Sequence, residues 1–371
     1  MQNSNKSFAQ NLKNLRSEAG LNQNELAERI SYTAKAISKW ETGTALPPSN
    51  VLPLLAQALG TDLNSLFNYR DKATYYLGID GGGTKTRFML ADSDGNILNS
   101  ITLPASNPTS VGIDETVNIL KDGFKQILNV PYNKISVFAG IAGCGIASNS
   151  EYVLNELASY NFSKLVVVSD AENVISAGLK GSDGIISIMG TGSATFISKN
   201  GKRTRIGGYG HIIGDVFSGA EFGRAAIESA LYHLDGSGDK TAITQEILSR
   251  VDNVEDLPNL ISAKGKTYLA SFADIVFKCA EQGDAIASKI LDRNIKRLAR
   301  QLSAALDNFD GTVAIPIVLA GGITNMSNQF LDKLNQSIIS KCPREIKILK
   351  EEPVTGAVLA AGILVKENNN A

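Results

Sequence analysis

The spacing of hydrophobic residues along the chain changes near residue 75. Before that point, apolar residues recur at helical spacing, as at Phe8, Leu12 and Leu15, and Gly20 ends the first helical stretch. Beyond it, short β-branched runs alternate with amphipathic stretches, which predicts a mixed α/β sheet with helices on its faces. The predicted strands of this second part are 75–80, 86–92, 96–103, 134–141, 164–169, 184–189, 194–199 and 314–320. The predicted helices are 114–128, 150–160, 172–180, 219–233, 267–281, 284–308, 327–340 and 355–366.

The first seventy residues predict a small bundle of helices. After a helix at 7–19, a second covers 23–30, and Thr33 can cap a third that continues through Trp40. The helical pattern resumes at 50–59. Two helices joined by a short turn inside such a bundle are typical of a helix-turn-helix, and a helical domain that binds another protein is the alternative.

Composition and charge are those of an ordinary soluble protein. The 371 residues are 43% hydrophobic and 20% charged with a net charge of −1, and residues 1–70 carry a net charge of +2. No apolar run reaches the roughly 18 residues of a membrane span, and the N-terminus lacks a signal-peptide core. Cys144, Cys279 and Cys342 are dispersed, so we expect neither a zinc site nor disulfides. We expect a cytoplasmic protein without a membrane partner.

A glycine-rich hairpin at residues 77–89 is the most informative stretch. The strand from Tyr75 ends in Asp80, and three glycines, Thr84 and Lys85 follow before a second strand. Glycines let backbone N–H groups approach phosphate oxygens closely, and a neighbouring carboxylate suits Mg²⁺. A Walker loop and a dinucleotide fingerprint are excluded by the spacing of these residues. A plain hairpin in a sheet is the alternative.

A second glycine-rich hairpin resembles the first, and an aspartate lies between the two in sequence. Residues 186–195 contain Thr191, Gly192 and Ser193, which could hold a triphosphate from the opposite side of a cleft. Between the hairpins, the apolar strand 165–169 delivers Asp170 at its C-terminal end, where ligands collect in α/β sheets. Asp170 could accept the proton of an attacking hydroxyl, or it could only cap the following helix.

A third glycine pair completes an order of motifs that resembles a known family. Gly321-Gly322 follow the strand 314–320, where a flat adenine could lie against bare backbone. Together the motifs resemble the BadF/BadG/BcrA/BcrD-type ATPase and N-acetylglucosamine kinase family, over residues 75 to about 366. The resemblance implies a two-lobed, actin-like, ribonuclease H-like α/β kinase fold of the actin/hexokinase/Hsp70 superfamily, with ATP and Mg²⁺ as cofactors and an amino sugar as substrate.

The resemblance also implies roles for individual residues. Asp170 would be the catalytic base and would contact the sugar, and Asp80 would bind the metal. The remaining nucleotide-binding residues would be Asp80, Gly82, Gly83, Thr84, Lys85, Thr191, Gly192, Ser193, Gly321 and Gly322, and the other sugar-binding residues Asn107, Gly208 and Asp215. Without the family, Asn107 and Asp215 would be a turn asparagine and a loop aspartate.

One segment departs from the family pattern. Val216-Phe217 stands where the family often has Glu-Gly, so we expect an acceptor to be lost near the sugar and Phe217 to add bulk there. The iron–sulfur activator branch has paired cysteines, a pattern that this sequence does not show.

The helical part resembles the Cro/C1-type helix-turn-helix domain from about residue 8 to 67. The matches are Leu21-Asn22-Gln23-Asn24-Glu25-Leu26-Ala27 and Ala36-Ile37-Ser38-Lys39-Trp40-Glu41-x-Gly43. In this family the third helix enters the major groove of double-stranded DNA. The residues implied to face base edges are Thr33, Ala34, Lys35 and Ser38, and those implied to contact phosphate are Gln23 and Lys39. Lys35 replaces a common glutamine, so base preference does not transfer.

These expectations combine into one organisation. A helix-turn-helix domain at 7–68 and a linker at 69–74 precede a kinase part at 75–371, whose N-lobe is about 75–185 plus 355–366 and whose C-lobe is about 186–354. The predicted function is an N-acetylhexosamine kinase that also binds an operator and regulates transcription, and a regulator that senses sugar and nucleotide without turnover is the alternative. We expect a homodimer built mainly through the kinase part, with the helical stretch 267–308 as its surface, and a nucleoid-associated state on DNA.

Overall fold

The computed structural model describes residues 2–67, 73–311, 313–326 and 330–367. The chain forms two compact units, a helical one at its N-terminus and a much larger α/β one, which are described separately. Most of the predicted linker, residues 69–72, and the predicted helix positions 327–329 lie outside the described residues. Among the helices that are described, none has the length and apolar character needed to cross a lipid bilayer.

The helical unit is a bundle of five helices around one core. Asn22 and Glu25 form a reciprocal capping box on the second helix, and Thr33 Oγ1 accepts from Ala36 N at the start of the third, as predicted. The helices are α1 (Gln2–Glu18), α2 (Gln23–Arg29), α3 (Ala34–Glu41), α4 (Leu52–Ala58) and α5 (Leu63–Phe67). The core is formed mainly by Phe8, Leu12, Leu26, Ile37, Trp40, Val51, Leu55 and Leu66.

The first lobe of the α/β unit is built on a five-stranded sheet. Three antiparallel strands are followed by two parallel ones, and the sheet order is β3-β2-β1-β4-β5. The strands are β1 (Tyr75–Gly81), β2 (Lys85–Asp92), β3 (Ile97–Pro104), β4 (Ile135–Ile141) and β5 (Lys164–Val168). The helices are α6 (Pro108–Val111), α7 (Ile113–Ile127), α8 (Ala147–Leu157) and α9 (Ala171–Leu179).

The second lobe repeats this arrangement. Its sheet order, β10-β9-β6-β7-β8, is that of the first sheet read from the other edge, again with three antiparallel strands followed by two parallel ones. The strands are β6 (Gly184–Met189), β7 (Ser193–Lys199), β8 (Lys202–Ile206), β9 (Ile315–Ala320) and β10 (Arg344–Ile348). The helices are α10 (Gly219–Leu234), α11 (Ile243–Leu248), α12 (Leu257–Ala270, interrupted at Gly265), α13 (Ala273–Glu281), α14 (Ala285–Leu306) and α15 (Phe330–Ser337).

The last helix returns to the first lobe. This helix, α16 (Pro353–Glu367), packs against β1, β2, β4 and α9. Its approach to the sheet is close, because a Cβ on Gly78 would lie 2.5 Å from Val358 N. The prediction of a two-lobed α/β fold preceded by a helix-turn-helix is therefore confirmed.

Several elements differ from the sequence prediction. The continuous helix expected at 267–281 is broken at Ser271 and Phe272, so the stretch 267–308 consists of the end of α12, then α13 and α14. In the α/β unit, the elements that were not predicted are strands β8 and β10, helices α6 and α11, and the part of α12 before residue 267. Strand β10 alternates charged and apolar residues at a sheet edge, where one side is exposed and the hydrophobic signal is halved.

Candidate active site

The first glycine-rich turn joins β1 to β2 and leaves open space on its outer side. Gly82 N donates to Lys85 O at 3.0 Å and closes the hairpin. A Cβ built on Gly83 would meet no atom within 4 Å, and Thr84 and Lys85 are exposed. Behind the turn, the buried Thr86 Oγ1 lies 2.7 Å from Pro104 O and 2.8 Å from Ser106 Oγ. The turn is therefore anchored on one side and accessible on the other.

Asp80 lies at the end of β1, mostly enclosed and close to a second carboxylate. Burial raises the pKa of Asp80, the hydrogen bond from Asn173 Nδ2 at 2.8 Å lowers it, and the negative charge of Asp170 raises it further. Two carboxylates in one enclosed site repel each other, and a cation between or beside them would relieve that repulsion. Asp80 and Asp170, 90 residues apart in sequence, are thus brought together.

Asp170 follows β5 and caps α9, so the capping role that the sequence left open is present. Its Oδ1 accepts from Ala171 N and from Ser169 Oγ, each at 3.0 Å. Within the described part of the chain, Oδ2 accepts no hydrogen bond. Because one oxygen caps the helix, the other can accept a proton, and the two roles are compatible.

The loop that follows β4 carries Cys144 close to Asp170 and passes beside Asn107, which lies between β3 and α6. Burial and the charge of Asp170 raise the pKa of the Cys144 thiol to about 11, so this thiol stays protonated near neutral pH. Asn107 caps α6, and its Oδ1 accepts from Thr109 N at 3.0 Å. A Cβ on Gly143 would lie 2.7 Å from that same oxygen. Asn107 therefore performs the local role of a turn asparagine while it borders the loop next to Asp170.

The second glycine-rich turn lies at the N-terminus of α10. Gly190 N donates to Gly192 O at 2.9 Å, and the helix returns two bonds, from Gly219 N to Gly190 O and from Ala220 N to Thr191 O. The N-terminus of a helix of 16 residues carries partial positive charge and attracts anions. The turn containing Thr191, Gly192 and Ser193 therefore borders the positive end of the α10 dipole, while the first four N–H groups of that helix are bound to the turn itself and to Ser218.

Asp215 braces the loop before α10 against this turn. The buried Asp215 Oδ1 accepts from Gly210 N at 2.9 Å, and a Cβ on Gly192 would lie 2.7 Å from its Oδ2. Gly208 has a φ of 70°, and a Cβ there would lie 2.7 Å from the Cβ of Ala194. Gly192, predicted to bind the nucleotide, therefore lies near Gly208 and Asp215, which are predicted to bind the sugar.

The expectation that Phe217 adds bulk beside the sugar is wrong. Phe217 is fully buried in the core of the second lobe, 5.0 Å from the ring of Phe222 and 5.1 Å from that of Phe330. Its φ of 62° lies in the left-handed region, which favours the glycine common in the family. The backbone shape is kept, and the side chain turns into the core because burying the ring is favourable. Val216 also packs partly against this core, and its carbonyl accepts from Ser193 Oγ at 2.6 Å.

Gly321, the first residue of the third glycine pair, lines a cleft of about 690 Å³. Gly321 has a φ of 103°, and a Cβ there would overlap the backbone of Met189, so only glycine fits. Gly322, whose Cβ position is open, begins a short 3₁₀ helix. The cleft is lined mainly by Ile188, Ala320, Gly321, Thr324, Asn325, Leu349, Lys350, Glu352 and Pro353.

An ion pair connects this cleft to Asp80. Arg87 lies opposite Asp80 in the β1–β2 register, and its guanidinium binds Glu352 at 2.9 and 3.3 Å. A second ion pair, between Glu172 of α9 and Arg203 of β8 at 3.7 Å, joins the two lobes beside Asp170. Glu352, which lines the cleft, is therefore linked through Arg87 to the strand position opposite Asp80.

Two residues of the site were not found by sequence reasoning, Asn173 and Arg87. Asn173 is fully buried beside Asp80, and its signal was a polar residue one turn after Asp170 in an otherwise apolar stretch. Arg87 stands directly opposite Asp80, so the pairing of the hairpin strands could have indicated it.

The predicted DNA-facing residues lie on and beside α3. Thr33, Lys35 and Lys39 are exposed, and Ala34 and Ser38 are half-buried. Gln23 is already engaged, since its Nε2 donates to Glu41 Oε2 at 2.8 Å while Arg16 binds the same carboxylate through Nε at 2.6 Å. The helix is therefore held in place by a buried ion pair, and its basic side chains point to solvent.

Comparison with known proteins gives the same picture for both parts of the chain. The sequence profile of the BadF/BadG/BcrA/BcrD ATPase family matches residues 77–361, and that of a helix-turn-helix domain matches residues 7–66. An N-acetylmuramic acid/N-acetylglucosamine kinase of Clostridium acetobutylicum is 30% identical over 299 residues, which cover 77% of this chain and 98% of the relative. An N-acetyl-D-glucosamine kinase of Dictyostelium discoideum is 29% identical over 77% of this chain and 97% of the relative.

Solved structures agree on the fold. A protein of Chromobacterium violaceum assigned as an N-acetylglucosamine kinase matches with a TM-score of 0.63 and 24% identity, over 78% of this chain and 99% of that one. The prediction of an ATP-using phosphotransferase of the sugar-kinase type is confirmed at the level of the family. The chain belongs to the BadF/BadG/BcrA/BcrD ATPase family.

Proposed function

We propose that this protein is an ATP-dependent kinase of an N-acetylhexosamine similar to N-acetylglucosamine, and that it also binds a DNA operator. The observation that carries the kinase proposal is the proximity of Asp80 and Asp170, which lie at the C-terminal ends of parallel strands, with Asp80 directly before the first glycine-rich turn. Ligands of α/β sheets bind at this edge. The substrate class is proposed from the two kinases that are about 30% identical to this chain.

In this mechanism the triphosphate lies between the turns at 82–84 and 190–193, and the adenosine lies at Gly321-Gly322. Backbone N–H groups and the hydroxyls of Thr84 and Thr191 donate to phosphate oxygens. Asp170 Oδ2 accepts the proton of a sugar hydroxyl while that oxygen bonds to the γ-phosphorus. The bond from this phosphorus to the β–γ bridging oxygen breaks, and ADP leaves.

The residues present fit Mg²⁺. Among the described side chains, no group of three or more metal-ligating residues occurs. Mg²⁺ is usually bound by one or two carboxylates together with the phosphates of the substrate, and Asp80 supplies such a carboxylate at a strand end. When bound, Mg²⁺ would neutralise charge on the β- and γ-phosphates. Lys85, exposed on the same hairpin, is placed to add positive charge.

We assign the sugar to Asn107, Gly208 and Asp215, as the family resemblance implies; Asp215 and Gly208 lie beside the second glycine-rich turn, and Asn107 lies beside the loop that follows β4. A hydrogen-bonding group that loses its partner in an enclosed site costs about 1–3 kcal/mol, which corresponds to roughly ten-fold or more in affinity. Asn107→Ala should therefore raise the sugar KM at least about ten-fold and change kcat little. If calorimetry shows that N-acetylglucosamine, N-acetylmuramic acid and glucosamine all fail to bind, the amino-sugar assignment is wrong.

A coupled assay of ADP release over a panel of amino sugars tests the kinase proposal. Asp170→Asn should lower kcat about 10²–10⁴-fold and leave nucleotide and sugar binding intact. Asp183→Asn is the matched control, because it removes the same charge at the opposite end of β6, where Asp183 accepts from Asn200 N. Wild-type turnover in Asp170→Asn would remove this residue from the mechanism.

The second candidate is a regulator that senses sugar and nucleotide without turnover. The observation that favours it is Val216. This apolar residue packs partly against the core, at a position where members of the family often have a glutamate. The same assay separates the two, because a sensor would bind sugar and nucleotide in calorimetry and release no ADP.

For the helical unit we propose operator binding by a homodimer, formed mainly through the α/β unit with α13 and α14 as its surface, in the cytoplasm at the nucleoid. Support comes from the helix-turn-helix match and from the exposed Lys35 and Lys39. Ligand binding would change operator affinity by a coupling of about 1–3 kcal/mol. Equal affinity for a selected operator with and without sugar plus nucleotide, at fixed salt, would exclude this coupling. A monomer in light scattering would exclude the dimer.

A further inference from the structure

One buried amide lies between the two candidate carboxylates. Asn173 is in the first turn of α9, three residues after Asp170, and its side chain is fully buried. Its Nδ2 donates to Asp80 Oδ1 at 2.8 Å, to Gly140 O at 3.0 Å and to Ile79 O at 3.1 Å. Two amide hydrogens thus serve three acceptors, which belong to the neighbouring strands β1 and β4.

The acceptor side of the same amide has no partner. Within the described residues, Asn173 Oδ1 is buried and accepts no hydrogen bond. A buried acceptor without a partner is uncommon in folded proteins. Turning the amide by 180° would place its oxygen against three other acceptors, so the neighbours fix the observed orientation. The position therefore uses the donor group of asparagine and leaves its acceptor unsatisfied.

The surroundings hold this amide in place. A Cβ on Gly140 would overlap the Asn173 side chain, and a Cβ on Gly356 would overlap its backbone oxygen. Strand β4 and helix α16 therefore enclose Asn173 at two points where no side chain larger than glycine fits. Such packing removes rotational freedom from a side chain and fixes the direction of its hydrogen bonds.

We propose that Asn173 is a positioning residue that aims the Asp80 carboxylate at the Mg²⁺ of the bound nucleotide. A group that hydrogen-bonds a metal ligand orients it, and removing such a group typically lowers metal affinity about 10–100-fold. Since α9 carries both Asp170 and Asn173, one helix sets the separation between the base and the metal-binding carboxylate. This inference rests on the proposed function, because it requires a Mg²⁺-nucleotide complex at Asp80.

The test measures how much Mg²⁺ improves binding of a non-hydrolysable ATP analogue. Calorimetry with AMPPNP is performed on the full chain in saturating Mg²⁺ and again in EDTA, and the ratio of the two affinities is the Mg²⁺ gain. In Asn173→Ala we expect the gain to fall about ten-fold or more, while the affinity in EDTA stays within about two-fold of wild type. A merely structural role would lower both affinities together.

Asn294 provides a matched control. It is also a fully buried helical asparagine, its Nδ2 donates to Ile290 O at 3.0 Å, and its Oδ1 likewise has no partner among the described residues. Asn294→Ala should keep the wild-type gain. In an Asp80→Asn background, adding Asn173→Ala should cause no further loss of gain, because the residue acts through Asp80.

The outcomes separate the inference from the function on which it rests. A wild-type Mg²⁺ gain in folded Asn173→Ala overturns the positioning role and leaves the kinase proposal standing. Absence of any Mg²⁺ gain in the wild type overturns both. If Asn173→Ala does not fold, Asn173→Ser, which keeps a polar atom on the helix, is measured in the same way, and an unchanged gain there overturns the inference equally.

Discussion

At Phe217 we predict that a glycine variant is more stable than an alanine variant, the reverse of the order usually found in helices and strands. The residue combines a fully buried ring with a φ of 62°. Truncating a buried phenylalanine to alanine typically costs about 3–5 kcal/mol. The left-handed conformation costs a non-glycine residue about 1–2 kcal/mol, and alanine would keep that strain while losing the ring.

Glycine at this position should therefore be better than alanine. Phe217→Gly removes the same ring but also removes the strain. The greater backbone entropy that glycine loses on folding reduces this advantage by about 0.5–1 kcal/mol. We expect Phe217→Gly to be more stable than Phe217→Ala by about 1 kcal/mol, or about 2 °C in melting temperature for a unit of this size. Phe222 is the control, because it is equally buried but helical, so Phe222→Gly should be the less stable of its pair.

The chain offers a convenient readout for this comparison. Its single tryptophan, Trp40, lies in the helical unit, so tryptophan fluorescence follows that unit alone while far-UV circular dichroism follows both. Substitutions at residue 217 should shift only the circular dichroism transition that belongs to the α/β unit. Equal stability of the two variants, or a more stable Phe217→Ala, would refute the assignment of strain to this position.

Three further predictions concern charge. Burial and the charge of Asp170 raise the pKa of Asp80. The stabilisation that protonated Asp80 provides is therefore full below the pKa of an unfolded aspartate, and it is lost as the pH rises through the folded-state pKa of Asp80. Asp80→Asn should therefore melt above wild type at neutral pH and converge with it as the pH falls towards about 4, and a lower melting temperature at neutral pH would contradict this. Burial raises the pKa of Glu221, but its contacts with Arg224 and Arg297 outweigh that effect and leave the pKa below its usual range. Because both arginines are partly exposed, Glu221→Gln should cost about 1–3 kcal/mol at neutral pH, and less as the pH falls through the folded-state pKa, as urea unfolding at several pH values would show. In DNA titrations, Lys35→Ala should weaken operator binding more than non-specific binding, whereas Lys39→Ala should lower both and reduce the salt slope by about one, and identical salt slopes would remove Lys39 from the phosphate contacts.

Much of the fold could be predicted because local and long-range preferences agree there. The strands around Asp80 and Asp170 are apolar runs that end in a carboxylate, and both carboxylates lie at strand ends as expected. Strand β10 was missed because its alternating charges suit an exposed edge, and α12 because Pro258 and Gly265 interrupt its pattern.

The details of the site depended on packing that no local pattern contains. Asn173 reads as an ordinary helical residue until the register of β1 and β4 places Asp80 and Gly140 beside its amide. Phe217 contradicts its local preference, since a bulky residue at positive φ is stable only when a core receives its ring. Such conflicts between local and global preference are expected at functional sites.

The return of α16 to the first lobe has a consequence for how the chain folds during synthesis. This helix covers Met89, Ala91 and Phe138 of the first sheet, and Ser136 Oγ donates to Ala361 O at 2.9 Å across 225 residues of sequence. Until residues 353–367 emerge from the ribosome, that face of the sheet has no cover. The helical unit closes through contacts within the first 67 residues and can fold at once. We therefore expect a nascent chain whose helical unit is folded well before its nucleotide site is complete, and whose uncovered sheet face can bind chaperones during that interval.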